Sequence, residues 1–434
     1  MSTSGSRGGG VAARGSAASL VGASAVLPRH NRRREQIAEQ AADLFAERGF
    51  HAVRMQDVAR ASGMTARALY RYYGNKNDLL SYVIQQGQQR LLHAVEPGGP
   101  AVPATESFTT MVTLLAPAAL QNIRLAPLWQ QEARHLGEPG YAQIRANTHR
   151  IAGTVRRALG EQYPWLDDYD RDLRGWAVLS VVTSPSHRDG RYAHAGYAGL
   201  LADLSLAVAT AGQPPADAVR ISPQLAGCAR SSASRRECLL TVTAAMLRRH
   251  GYGGVSIDDV GREAGIAGPA VYRYFDSKSE LLLACVERLH EWIALETTRA
   301  LAAATDDRDV LPALVAGYLR VAMEATDLLA VARTESQHLP DRARERARRF
   351  RVDFAAEWVR WARRRCPQLS DAQAVVRVAA ALTVIDDLVR VRRLARDPRF
   401  AAELTAIVMA IFGAPVRPLP QEGAAGPPIA DFRR

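Results

Sequence analysis

The sequence is poor in the features that mark several large classes of protein. It has four cysteines in 434 residues, Cys228, Cys238, Cys285 and Cys366, and no CxxC pair among them. Scattered thiols of this kind point to neither a zinc site nor a disulfide framework, and they suit a reducing cytoplasm. No apolar run reaches the length of about 18 residues that a membrane span needs. The stretch 18–27 is mildly apolar and follows Arg7 and Arg14, but its serine, glycine and alanine make a poor secretory core. Common catalytic signatures are missing as well: no G-x-S-x-G, H-E-x-x-H, Walker loop or G-x-G-x-x-G occurs. The ten histidines show no metal-ligand spacing, and Gly8-Gly9-Gly10 leads into no strand–helix unit. No catalytic residue, metal or cofactor is therefore assigned, and an enzyme is the reading with least support. Alternating β-branched runs are scarce, so an all-α protein is expected.

What the chain has is basic charge and repetition. Lysine and arginine number 56 against 44 acidic residues, a net charge of +12. This excess fits a polyanionic partner such as nucleic acid, although arginine-rich composition is also common in GC-rich bacteria. The length allows two to four domains. Gly49-Phe50 returns as Gly251-Tyr252, and the offset of 202 then runs without a gap. Val53, Asp57, Val58, Arg60, Gly63, Ala68, Tyr70, Arg71, Tyr72, Lys76, Leu79 and Leu80 all recur at that spacing. A fainter echo follows at 203, where Glu132, His135 and Leu136 match Glu335, His338 and Leu339. The duplicated unit is thus much longer than its first fifty residues.

Within each unit the pattern is helical. Ile37, Ala41, Leu44 and Phe45 form one stripe, kept as Leu239, Thr243, Met246 and Leu247. Gly49 and Gly251 stand where a helix stop is expected. A short helix over 55–61, a turn at Ser62-Gly63-Met64 and another short helix over 65–71 make a helix-turn-helix, whose second helix enters the major groove. Its counterpart is 256–264, Gly265-Ile266 and 267–273. Asn75-Lys76-Asn77-Asp78 and Ser277-Lys278-Ser279-Glu280 then read as capping boxes that open a further helix.

These residues resemble the TetR family of bacterial regulators. The resemblance rests on the runs 58–65, 69–73 and 76–80, and on 260–265, 271–275 and 278–282; it covers about 50 residues per head. It implies double-stranded DNA as partner and roles for particular residues. Thr65, Arg67 and Tyr70 would face the groove, with Tyr72 and Lys76 on phosphates. In the second head Gly268, Pro269 and Tyr272 would face the groove, with Tyr274 and Lys278 on the backbone. Each tyrosine also admits a purely structural role in the core, and each lysine a merely solvated one. Thr65-Ala66-Arg67 gives way to Ala267-Gly268-Pro269, so the second head loses a hydroxyl and a guanidinium.

The expected organisation is a tail over 1–29, a first DNA-binding head over 30–91 and a helical regulatory body over 92–211. A linker over 212–232, a second head over 233–293, a second body over 294–412 and a tail over 413–434 follow. The family implies a small-molecule effector of unknown identity held in the bodies. Trp129, Arg134, His135, Arg333 and His338 are candidate contacts, although residues of this kind are more often structural than ligand-binding. The arginine-rich run 341–351 reads as a solvated helix face. Helices over 173–183 and 200–211, and over 374–391 and 400–412, would either pair the units as an intrachain pseudo-dimer or serve each unit's own core. Two unlike heads would read an asymmetric operator of two half-sites, most simply as a repressor. In a second reading only the first head binds DNA and the second unit is a scaffold or sensor. Further pairing of whole chains into a homodimer is left open.

Overall fold

The computed structural model describes residues 29–96, 107–124, 128–133, 136–187, 195–212 and 234–416. The tails 1–28 and 417–434, the linker stretch 213–233, Cys228, Arg134 and His135 lie outside the described residues. Every regular element among the described residues is helical, and none of those helices is long and apolar enough to cross a membrane.

The first unit opens with α1 (Arg29–Arg48), α2 (Met55–Ala61), α3 (Ala66–Leu69) and α4 (Lys76–Val95). A bundle follows: α5 (Phe108–Gln121), a π turn (Leu128–Glu132), α6 (Glu138–Gln162), α7 (Asp168–Thr183) and α8 (Ala195–Ala209). The second unit repeats this order. Its head is α9 (Arg235–His250), α10 (Ile257–Glu263), α11 (Gly268–Val271) and α12 (Lys278–Ala303). Its body is α13 (Asp307–Glu324), α14 (Thr326–Thr334), a 3-10 turn (Ser336–His338), α15 (Asp341–Arg365), α16 (Asp371–Leu388), α17 (Arg392–Ala395) and α18 (Phe400–Gly413). The boundaries expected at 91 and 293 fall inside α4 and α12, so head and body share one continuous helix in each unit. Gly413, grouped above with the tail, is the last residue of α18.

The heads fold alike because the same constraints recur. Gly49 and Gly251 take φ of 77° and 70°, and Gly63 and Gly265 take 63° and 71°. A side chain is strained in that left-handed region, so glycine both ends the first helix and makes the tight turn. Val58, Leu69, Tyr73, Leu79 and Leu80 are buried, as are Val260, Val271, Phe275, Leu281 and Leu282 at the same spacing. The Tyr73 hydroxyl donates to the Arg34 carbonyl at 2.8 Å and ties α1 to the end of the motif. The arginine-rich run lies on α15, where Arg348 and Arg349 reach Glu345 at 2.8 and 2.9 Å. Those hydrogen bonds hold the Glu345 carboxyl down to about 2, as on a solvated, ion-paired helix face.

The last helices of each body pack within their own unit and across to the other. α7 lies against α16, α8 against α18, and the turn after α7 also against α16. These helices bury Val178, Val182, Leu201 and Leu204 in one unit, and Ala381, Val384, Leu404 and Val408 in the other. A polar latch borders the contact. Arg399 donates to Asp167 at 2.8 Å, Arg393 to Asp172 at 3.0 Å, and the Arg399 guanidinium lies 4.5 Å over the Tyr169 ring. Exposed pairs of this kind contribute little stability.

Each unit also buries one arginine at the equivalent place. Arg174 donates to the Ala209 carbonyl at 2.7 Å. Arg377, 203 residues on, donates to Ile411, Phe412 and Pro415, each at 3.0 Å. Both guanidiniums thereby satisfy last-turn carbonyls that a helix leaves without partners. Arg377→Leu is expected to leave these oxygens unpaired and cost on the order of 3 kcal/mol, read as a lower denaturant midpoint at unchanged slope. His290, on α12, stacks on Phe350 of α15 at 4.0 Å. Burial, with Arg351 nearby, pushes its pKa down to about 4. The unfolded chain then takes up a proton that the folded one resists, so this contribution is present above pH ~6.5 and fades as pH falls toward 4. His290→Phe should therefore lose less melting temperature between pH 7 and pH 5 than the parent chain.

Candidate nucleic-acid interface

α3 and α11 jut from their heads with the expected residues in unequal positions. Thr65 caps α3: its hydroxyl oxygen accepts from the Ala68 amide at 3.2 Å, which leaves the hydroxyl proton to donate outward. Ala267 caps α11 without a side-chain bond. Arg67 and Pro269 are exposed. Tyr70 and Tyr272 are each 53% exposed, a large aromatic surface left outside the core at the same place twice. Tyr72 is half-buried against the core, whereas Tyr274 is exposed. Arg54, Arg60 and Arg71 are exposed beside them. With Tyr70, Asn75 and Lys76, Arg54 lines a cleft of about 460 Å³ at the foot of α4.

Three expected contacts have other duties. Lys76 donates to the carbonyls of Phe50 and Val53 at 2.7 and 3.0 Å and lies 4.1 Å over the Phe50 ring. Lys278 donates to Tyr252 and Val255 at 2.7 and 2.9 Å and lies 4.1 Å over the Tyr252 ring. Two of three ammonium protons thus hold the loop between the first two helices of each head, and burial lowers both pKa values. The lysines clamp the support of the recognition helix; the sequence expectation had placed them on phosphate. Gly268 is also redirected. A Cβ there would fall 1.8 Å from Asp258 Oδ1, and one on Gly261 would meet Gly268 Cα at 3.0 Å. The position a Cβ would take on Gly268 points at α10, where the missing side chain permits close packing. The capping boxes form by half: Asn75 and Ser277 accept from Asp78 and Glu280 amides at 2.9 and 3.2 Å, but Glu280 returns to the Asp276 amide.

Among the described residues, the effector candidates Arg333, His338 and Trp129 make contacts within the fold. Arg333 pairs with Asp386, whose other oxygen accepts from the Tyr318 hydroxyl at 2.6 Å. Burial pushes the Asp386 carboxyl up, while Arg333 and Tyr318 pull it back. His338 stacks on Tyr252 with ring centroids 4.7 Å apart. Trp129 is half-buried in the π turn, against the core. What the sequence reading missed is the residue beside them. Glu335, buried on the body, accepts from the Tyr252 amide at 3.0 Å and so reaches the loop that Lys278 clamps. Its twin Glu132 is buried too and acts electrostatically on Lys76. The Glu132/Glu335 echo was the available signal.

The family description "Bacterial regulatory proteins, tetR family" matches residues 37–83 and 239–285, two spans separated by the repeat offset. The chain carries two tetR-family DNA-binding heads and is a DNA-binding transcriptional regulator. Similar proteins include the HTH-type transcriptional regulator BetI of Agrobacterium fabrum, 27% identical over 45% of this chain and 94% of that protein. The transcriptional repressor KstR of Mycolicibacterium smegmatis is 35% identical over 24% of this chain and 50% of its own length. The transcriptional activator FasR of the same organism is 32% identical over 19% and 38%. The matched stretch therefore spans nearly all of BetI but half or less of the other two.

For a tetR-family head, clamp and phosphate contact predict different behaviour of the lysine. Lys278→Met keeps the stem and removes the donors. It should lower the melting temperature, because two carbonyls lose partners at about 1–3 kcal/mol each. The salt dependence of DNA binding should move by well under the ~0.9 slope unit of a lost phosphate contact.

Proposed function

We propose that this chain is a ligand-responsive repressor that presents both heads of a regulator dimer from one polypeptide and reads an asymmetric operator of two half-sites. The observation that carries this reading is the packing of α7 and α8 of one unit on α16 and α18 of the other. A face that two copies would otherwise share is covered within the chain, so the heads come as a linked pair. Tethering makes their pairing independent of protein concentration. Thr65-Ala66-Arg67 and Ala267-Gly268-Pro269 present different chemistry, so the two half-sites differ. On this reading the units are 30–211 and 233–412, each a head and a body. Thr65, Arg67 and Tyr70 serve the first half-site, and Pro269, Tyr272 and Tyr274 the second.

Response to a ligand is supported by the link from body to head. Arg333 and Glu335 stand two residues apart, one paired to Asp386 inside the body and the other bonded to the Tyr252 amide of the head. A small molecule that displaced Arg333 from Asp386 would disturb the hold on the clamped loop. Repression is favoured by the likeness to KstR, which extends over more residues than that to FasR.

Selection from a randomised duplex pool, followed by footprinting, tests the reading. Two unlike half-sites are expected, with centres about one turn apart (~34–36 Å), bound by one chain that sediments as a monomer. A perfect palindrome, or binding that requires two chains, would overturn it.

A further inference from the structure

The two heads differ in charge far more than their similar folds suggest. Between residues 54 and 76 the first head carries five basic residues and one acidic, a net +4. The matching stretch of the second head, 256–278, carries three basic and four acidic, a net −1. Five paired positions account for the whole difference. Arg54 and Arg67 become Ser256 and Pro269, while Gln56, Ala61 and Gly74 become Asp258, Glu263 and Asp276. All ten of these residues are exposed, so the change lies on the surface and is not compensated inside the fold.

The fold of the second head keeps one of these charges close to its recognition helix. Gly261 and Gly268 replace Ala59 and Ala66; a Cβ on Gly261 would press on the Gly268 backbone at 3.0 Å, and one on Gly268 would run into the Asp258 side chain. The Asp258 carboxylate lies in the space that a Cβ on Gly268 would need. The first head has neutral Gln56 at this place. What the second head offers instead is apolar surface: Ala267, Pro269 and the half-exposed Tyr272 ring.

Affinity for DNA of any sequence comes from neutralising phosphates. Discrimination comes from contacts to base edges, where apolar groups suit the methyl of thymine. A recognition stretch with net negative charge gains little from phosphate in general and depends on its base contacts. We propose that the two heads divide the work: the first holds duplex by charge whatever its sequence, and the second engages only a half-site whose thymine-bearing base edges outweigh its own repulsion. This rests on the reading that both heads meet DNA. The consequence is a chain that samples DNA through one head and commits through the other.

The test uses the full chain, a duplex pool of random sequence, and the duplex that the unaltered chain selects from it, across a salt series. Arg54→Ala with Arg67→Ala should weaken binding to both probes and reduce the log–log salt slope on the random pool by up to about two units. Asp258→Asn with Glu263→Gln should tighten binding to the random pool severalfold and steepen its slope by about one unit. The selected duplex should gain less, so the ratio between the probes narrows. Equal tightening on both probes overturns the division of work. No change on either, with the arginine variant still impaired, shows that the second head does not meet DNA and overturns it too, while DNA binding by the first head stands. Failure of the unaltered chain to bind either probe would remove the DNA reading beneath it.

Discussion

The structure depends on a burial constraint that neither unit meets alone. α8 and α18 are apolar over most of their length, and α7 and α16 bury residues on several sides. A helix of that composition needs neighbours all round, and one unit supplies too few. The other unit supplies the rest, and Arg174 and Arg377 satisfy the helix ends inside the same block. Because α4 and α12 continue from heads into bodies, the placement of each head follows from how these late helices seat.

A second constraint works at smaller scale. A four-residue helix such as α3 or α11 has no stability of its own and must be held by what surrounds it. The lysine at the start of the next helix does much of this, gathering two carbonyls from the preceding loop and lying on its aromatic ring. The same loop receives Glu335 and His338 from the second body. Recognition element, clamp and body are joined there through a few backbone atoms.

The fold class and the duplication were legible because they depend on periodicity and spacing, which a chain displays directly. The exposure of Arg67, Tyr70 and Tyr272 was legible for the same reason: they stand at positions that short helices leave outside. The clamp made by Lys76 and Lys278 was not legible, because a sequence shows their charge but not the carbonyls 23 and 26 residues upstream that they gather. The packing of Gly268 on α10 was not legible because a glycine gives no sign of which face it turns inward; Gly261 and Asp258 across the crossing reveal that. Arg333 looked available for an effector because Asp386, its partner, lies 53 residues away on another helix. Arg134 and His135 fall outside the described residues, so the structure leaves them as they were.

One feature of the chain reaches beyond its physics. In an assembly of two identical subunits, a substitution in the recognition helix alters both halves of the target at once, and most such double changes are lost together. Here Arg67 and Pro269 are encoded separately. On the two-half-site operator proposed above, each half could drift, or be selected, while the other keeps the protein on its site. Nor can the halves be shuffled with those of a sister regulator in the same cell, because they are inherited, synthesised and degraded as one molecule.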